Sequence, residues 1–139
     1  NKIKLKDDNK GVLSGVPASL PPLVKAYRMQ EKAAGVGFDW QHINGVVQKI
    51  EEELREFYFE VNQKNQNRAE EEFGDLLFSL VNYARFMGIN PDDALSNANQ
   101  KFRKRFVKME SKISDRQIDM SQLDLEKWEK LWQEVKSEN

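Results

Sequence analysis

The sequence contains no cysteine and only one histidine, His42. Disulfide staples, thiolate nucleophiles and Cys-based zinc sites are thereby excluded, and a His-rich metal centre with them. Proline and glycine are sparse, at four and seven in 139 residues. No segment alternates apolar and polar residues over the length of a strand. No apolar run approaches a membrane span and no signal peptide is apparent, which predicts a cytoplasmic protein. Neither sign of charge dominates: 22 basic and 23 acidic side chains leave a net charge of -1. That balance gives no general attraction for nucleic acid or a membrane, and neither is an expected partner.

What is present is helical patterning with enough apolar anchors, including eight Phe and three Trp, for one domain of moderate core. Residues 1–18 are polar and glycine-bearing and read as a flexible arm or interdomain linker; residues 19–139 form the domain. Ser19 is the expected cap of a first helix opened by Pro21 and Pro22, with Leu23, Tyr27, Met29 and Ala33 packing and Gly35 and Gly37 ending it. A second helix is expected from about Gln41 to Asn62, with Val47, Ile50, Leu54, Phe57 and Val61 as its apolar stripe and Lys49, Glu52, Glu53, Glu56 and Glu60 opposite. The Asn/Gln-rich tract at 62–67 reverses the chain into a third helix, about 68–87, apolar over most of its circumference and therefore buried. Asn90 and Pro91 start a fourth helix along Leu95, Ala98, Phe102, Phe106, Met109 and Ile113. Ser121 to Asp124 initiates a fifth, anchored by Leu125, Trp128, Leu131, Trp132 and Val135. The fold class is all-α: an antiparallel helical bundle of about five helices, its core completed by dimerisation.

Two acidic clusters stand out in this pattern. Glu53/Glu56 and Glu72/Asp75 are i,i+3 pairs, each on one side of its helix. Acidic helical runs are usually solvated faces. The second pair, however, lies on the most apolar helix, where a buried carboxylate needs a compensating cation. Ser79 and Asn82 continue the same narrow polar strip. A hard divalent cation such as Mg²⁺ takes oxygen ligands of this kind. A ferritin-like di-iron centre is rejected, because it needs Glu-x-x-His units that this chain lacks. Along the fourth helix Lys101, Arg103, Lys104 and Arg105 read as a solvated face, as partners for the acids, or as phosphate contacts, with Lys101 and Arg105 one turn apart.

These residues also carry a resemblance. The chain resembles the MazG family of all-α nucleoside triphosphate pyrophosphohydrolases, most of all the C-terminal domain of two-domain bacterial members. The family pattern Glu-Glu-x-x-Glu then Glu-x-x-Asp stands here as Glu52-Glu53-Leu54-Arg55-Glu56 and Glu72-Phe73-Gly74-Asp75. Val36-Gly37-Phe38-Asp39-Trp40, Asn82-Tyr83-Ala84-Arg85 and Asn99-Gln100-Lys101-Phe102-Arg103-Lys104-Arg105-Phe106 are similar as well, and the likeness spans about residues 14–137. The resemblance implies Glu53, Glu56, Glu72 and Asp75 as ligands of Mg²⁺, with Mn²⁺ as a substitute. It implies Glu52 as a further site acid and candidate water-orienting group, and Lys49, Lys101 and Arg105 as phosphate contacts. It also implies Trp132 as an aromatic near the bound nucleotide, Trp40 as a wall of the same pocket and Asn82 as a polar contact. The implied reaction is hydrolysis of an NTP or dNTP to the monophosphate and pyrophosphate, with broad base tolerance. The implied assembly is a homodimer or higher oligomer, with a related N-terminal domain in the full-length protein. The alternative is a catalytically silent regulatory or interaction domain that retains nucleotide or metal binding.

Overall fold

A proline at the first helical position loses no hydrogen bond, because that N–H has no intrahelical partner. Accordingly α1 runs Pro22–Gly35 in the computed structural model, which describes residues 11–138. Pro21 rather than the expected Ser19 occupies the cap position, without a side-chain bond; its carbonyl accepts the first helical N–H, from Lys25, at 2.8 Å. The proline ring already fixes the entry angle, so no hydroxyl is needed. Of the expected arm, residues 1–10 lie outside the described residues and residues 11–18 form turns and bends. After α1 the Phe38 N–H bonds the Ala33 carbonyl and the Gly37 N–H that of Ala34, both at 3.0 Å. Gly37 closes this Schellman turn at φ 102°, a conformation that a side chain would oppose.

The second and third helices are α2, Ile43–Asn62, and α3, Gln66–Phe86. Only Gln63, Lys64 and Asn65 join them, so the two pack as an antiparallel hairpin, with the most extensive helix–helix contact among the described residues. Asn65 caps α3 by accepting from the Arg68 N–H at 3.2 Å, which starts that helix two residues before the expected 68. The helices α4, Pro91–Asp115, and α5, Leu125–Ser137, follow, with a 3₁₀ turn at Met120–Gln122 between them. Asn90 accepts from the Asp92 N–H at 3.0 Å, as expected for the start of α4. Ser121 does not start α5: it belongs to the 3₁₀ turn, and the Asp124 carboxylate caps α5 through the Lys127 N–H at 2.9 Å. No strand occurs among the described residues, and the all-α reading with five α-helices holds.

The chain divides after Asp92 into two compact units. In the first, α1 packs on α3 and α3 on α2, with Val46, Ala69, Leu76 and Val81 buried. The stripe expected on α2 is rotated. Val46 and Glu53 are its buried residues, whereas Leu54 and Val61 are exposed. Pairing with α3 buries Glu53, leaves Glu52 and Glu56 exposed and keeps part of the apolar stripe outside. The expectation of an all-round buried α3 fails for the same reason: Leu76, Ser79 and Val81 are buried, but Phe73, Leu77 and Leu80 are exposed.

In the second unit Met109 and Ile113 of α4 meet Leu131 and Val135 of α5, flanked by Phe106, Ile118, Leu123, Trp128 and Trp132. Both pairs have the i,i+4 spacing that puts two side chains on one helix face. Burial of each large aliphatic contributes roughly 1.5–3 kcal/mol. Leu95, Phe102 and Leu125, all expected to pack, are exposed.

Candidate functional site

The hairpin register decides what the acids can do. It brings one carboxylate oxygen each of Glu53 on α2 and of Glu72 and Asp75 on α3 within 4.8 Å of one another. Glu52, Glu53 and Glu56 form a second such group, so Glu53 belongs to both. Octahedral Mg²⁺ with bonds of roughly 2.1 Å separates its oxygens by about 3–4 Å, so small side-chain rotations suffice for shared ligation. Glu53 is 5% exposed. Its Oε1 and the Oε1 of Glu72 are buried without a hydrogen-bond partner. Orphaned carboxylate oxygens that face other carboxylates are unfavourable unless a cation joins them, and this donor set fits a hard divalent ion. The same crowding acts on protonation. Burial, followed by the nearby charges of Glu56 and Asp75, holds the Glu72 carboxyl above its ordinary pKa.

Lys49, one turn before Glu53, links this cluster to a cleft. Its Nζ lies 2.9 Å from Glu53 and 3.5 Å from Glu52, and the hydrogen bond to Glu53 is the main cause of its raised pKa. Lys49 also lines a cavity of about 540 Å³ bounded by α1, α2 and α3. Met29, Ala33, Trp40, Val46 and Phe78 make the cavity largely apolar, and Asn82 and Ser79 add polar atoms. Such a lining, with few polar groups, is typical of small-molecule sites. Trp40 is held from two sides. A Cβ on Gly45 would lie 2.7 Å from the indole Cε3, so only glycine lets the ring lie against the start of α2. Asp39 accepts from the Trp40 N–H at 2.8 Å and pairs with Arg85 of α3. Arg85 Nε in turn donates to Asn82 Oδ1 at 2.9 Å. On the other side of the acids, Glu52, Glu56 and Glu72 border a shallower depression of about 400 Å³.

Lys101, Arg105 and Trp132 belong to the second unit. The Arg105 guanidinium lies over the Trp132 ring, 5.5 Å from its centroid, and Arg105 Nε is buried without a hydrogen-bond partner. Trp132 also packs on Phe102 at 5.8 Å between ring centroids. Lys101, one turn before Arg105, is exposed. The expected residues therefore fall into two groups: Lys49, Glu52, Glu53, Glu56, Glu72, Asp75, Trp40 and Asn82 in the first unit, and Lys101, Arg105 and Trp132 in the second.

Sequence reasoning passed over Gln30, a 7%-exposed amide on α1 that lines the cleft. The signal was there: Gln30 occupies a polar place in the apolar spacing Leu23, Tyr27, Gln30, Ala34. It also passed over the Asp39–Arg85 pair, because residues 46 apart share no local pattern.

Carboxylates from both arms of a helical hairpin, beside an apolar cleft reached by a lysine, define an all-α domain with a candidate divalent-metal and small-molecule site. The family of the MazG nucleotide pyrophosphohydrolase domain matches residues 41–109, which include both acidic clusters, and the chain belongs to that family. It is 44% identical over 126 residues to the nucleoside triphosphate pyrophosphohydrolase of Escherichia coli (strain K12), covering 89% of this chain and 48% of that protein. A nucleoside triphosphate pyrophosphohydrolase/pyrophosphatase MazG of Thermotoga maritima is 45% identical over 117 residues, 84% of this chain and 45% of the relative. The uncharacterized protein YabN of Bacillus subtilis (strain 168) is 40% identical over 136 residues, 97% of this chain and 28% of that protein. The chain thus spans about half the length of the first two relatives. Among the described residues no helix is long and apolar enough to cross a membrane.

Proposed function

We propose that the chain hydrolyses nucleoside triphosphates and their deoxy forms to the monophosphate and pyrophosphate in a Mg²⁺-dependent reaction. The carrying observation is the convergence of Glu53, Glu72 and Asp75 within 4.8 Å. In this reading Glu53, Glu56, Glu72 and Asp75 hold Mg²⁺, and Mn²⁺ can replace it. When bound, the ion neutralises phosphate charge and polarises the phosphoryl group under attack. Lys49 stays cationic through Glu53 and Glu52 and offers its amine to a phosphate oxygen beside the cleft. Glu52, half of whose side chain is exposed, orients a water for attack at the α-phosphorus. Lys101 and Arg105 are assigned to the phosphates by their positions in the family pattern and their charge. Trp132 and Trp40 offer ring faces to the base. Stacking accepts every base, which supports broad base tolerance.

The assembly we propose is a homodimer. Leu54, Phe59, Val61, Phe73, Leu77 and Leu80 on α2 and α3 are each 44–58% exposed, which is an extensive apolar area for one chain to leave in water. Light scattering on purified protein tests it, and a monomer at micromolar concentration would reject it.

The reaction is tested by following products from several NTPs with and without Mg²⁺. Monophosphate and pyrophosphate are expected, only with the metal. Diphosphate and orthophosphate would reject the bond specificity, and no metal-dependent turnover would favour a silent binding domain.

A further inference from the structure

The cleft against α1 contains a polar atom that the proposed chemistry leaves unused. Gln30 donates its Nε2 to the carbonyl of Phe78 on α3 at 3.0 Å. A carbonyl only accepts, so this bond fixes the amide orientation: nitrogen toward α3, oxygen away. The oxygen, Oε1, is buried and has no hydrogen-bond partner. Leaving an acceptor in that state is unfavourable, and in a cavity wall it marks a place where a ligand donor would be gained. Gln30 lines the cleft, and because this oxygen has almost no accessible surface, a donor in the cleft reaches it once the neighbouring side chains shift slightly.

The neighbouring polar atoms are committed in the same direction. Ser79 donates its hydroxyl proton to the Asp75 carbonyl at 3.0 Å, which leaves Oγ as an acceptor. Asn82 accepts from Arg85 Nε, a donor only, so its Oδ1 is engaged and its NH₂ remains as a donor. Beside Lys49 and Asp39, the cavity therefore has the acceptors of Gln30 and Ser79 and the donor of Asn82 in a lining made largely by Met29, Ala33, Trp40 and Phe78. A flat ring that carries an NH₂ group beside a ring nitrogen acceptor complements that set.

We infer that Gln30 is a specificity-determining residue, whose Oε1 accepts a hydrogen bond from the exocyclic amino group of the nucleobase, as in adenine or cytosine. The inference deepens the proposed nucleotide site and rests on that reading. Stacking holds any base, and the Gln30 contact biases the choice within that tolerance.

ATP and purine riboside triphosphate differ only in the 6-amino group, and they test the contact directly. ATP is expected to have the higher kcat/KM by about tenfold, the worth of one neutral hydrogen bond. In Gln30→Leu the ratio should fall to near one, through loss of efficiency toward ATP. Gln30→Met, closer in length, repeats the measurement if the Leu variant loses its helical circular dichroism. Equal efficiencies in the wild type, or an unchanged ratio in a folded Gln30 variant, would overturn the inference. Calorimetric titration with AMP and purine riboside monophosphate separates this from the fate of the reaction itself. If AMP binds the wild type more tightly, the preference vanishes in the variants and no triphosphate is hydrolysed, the pocket stands and the enzymatic reading falls. If both triphosphates turn over alike and both monophosphates bind alike or not at all, the pocket falls and the enzyme stands.

Discussion

Glu72 and Glu134 are the same residue type on two helices of one chain, and their surroundings push them in opposite directions. Glu134 of α5 faces Arg116, whose Nη1 donates at 3.1 Å, and Lys112 at 3.4 Å; Lys112 also pairs with Glu138 at 2.7 Å. The Arg116 hydrogen bond is the main reason that its carboxyl lies below the ordinary pKa. Glu72 faces Glu53, Glu56 and Asp75, and burial together with those charges raises its pKa. One region neutralises its acids internally. The other concentrates them, with Lys49 as the cation against Glu53 and Glu52. A surface network like the first adds modestly to stability. A cluster like the second opposes folding, and its retention makes sense when an ion arrives to complete it.

The contrast breaks first at the acids. Glu53→Gln and Asp75→Asn should each lower Mg²⁺-dependent turnover on the order of a hundredfold or more. Helical circular dichroism should persist in both; metal-free thermal stability should not fall in Asp75→Asn, which removes a charge that its acidic neighbours repel, whereas Glu53→Gln also gives up the Lys49 ion pair. A folded variant with normal turnover would remove that residue from the site. The second unit should behave in reverse. Leu131→Ala deletes a buried side chain between α4 and α5 and should cost about 2–4 kcal/mol in chemical denaturation, with or without Mg²⁺. A loss below about 1 kcal/mol would mean that this small core is not what holds the two helices.

A subtler change sharpens the functional side. Gly45→Ala should raise helix stability by roughly 1 kcal/mol from propensity alone, yet push the Trp40 ring out of the cleft wall. A gain in thermal midpoint together with a roughly tenfold drop in kcat/KM is the expected pair of results, since misplacement of a binding wall reaches the chemistry. Unchanged kinetics would exclude Trp40 from substrate binding.

The smallest effect is a direct reading of the two carboxyls by NMR titration. Without metal, Glu72 should titrate above and Glu134 below the ordinary carboxylate value; Mg²⁺ should move the first down and leave the second in place. The consequences for stability have opposite sign. What Glu72 contributes is present below its unfolded pKa and is lost as pH rises through the folded one. What Glu134 contributes is present above its unfolded pKa and is lost as pH falls through the folded one. Matching midpoints for the two groups would erase the comparison.

Much of this architecture is legible along the chain because it depends on neighbours within one or two turns. Prolines at helix starts, glycine at φ 102° after α1 and at φ 73° after α3, and the spacing of the α4 and α5 anchors are local rules. Two other helix ends use Lys64 and Gln117 at positive φ, where no residue type announces the turn. The rotated face of α2 was missed because an apolar stripe normally faces inward, and Leu54 and Val61 outweigh Glu53 in any hydrophobic count.

The sequence by itself determined the all-α class, five helices, the two acidic pairs and the family pattern that joins them to Lys49, Lys101 and Arg105, since periodicity and motif spacing are properties of the chain alone. Only the tertiary structure decided that Glu53 meets Glu72 and Asp75, that Trp40 lies against Gly45, and that Gln30 lines the cleft with its amide oxygen buried and unpaired. Those facts depend on hairpin register and on which helix faces pack. Packing energies summed over many side chains set both, and no local spacing encodes that sum.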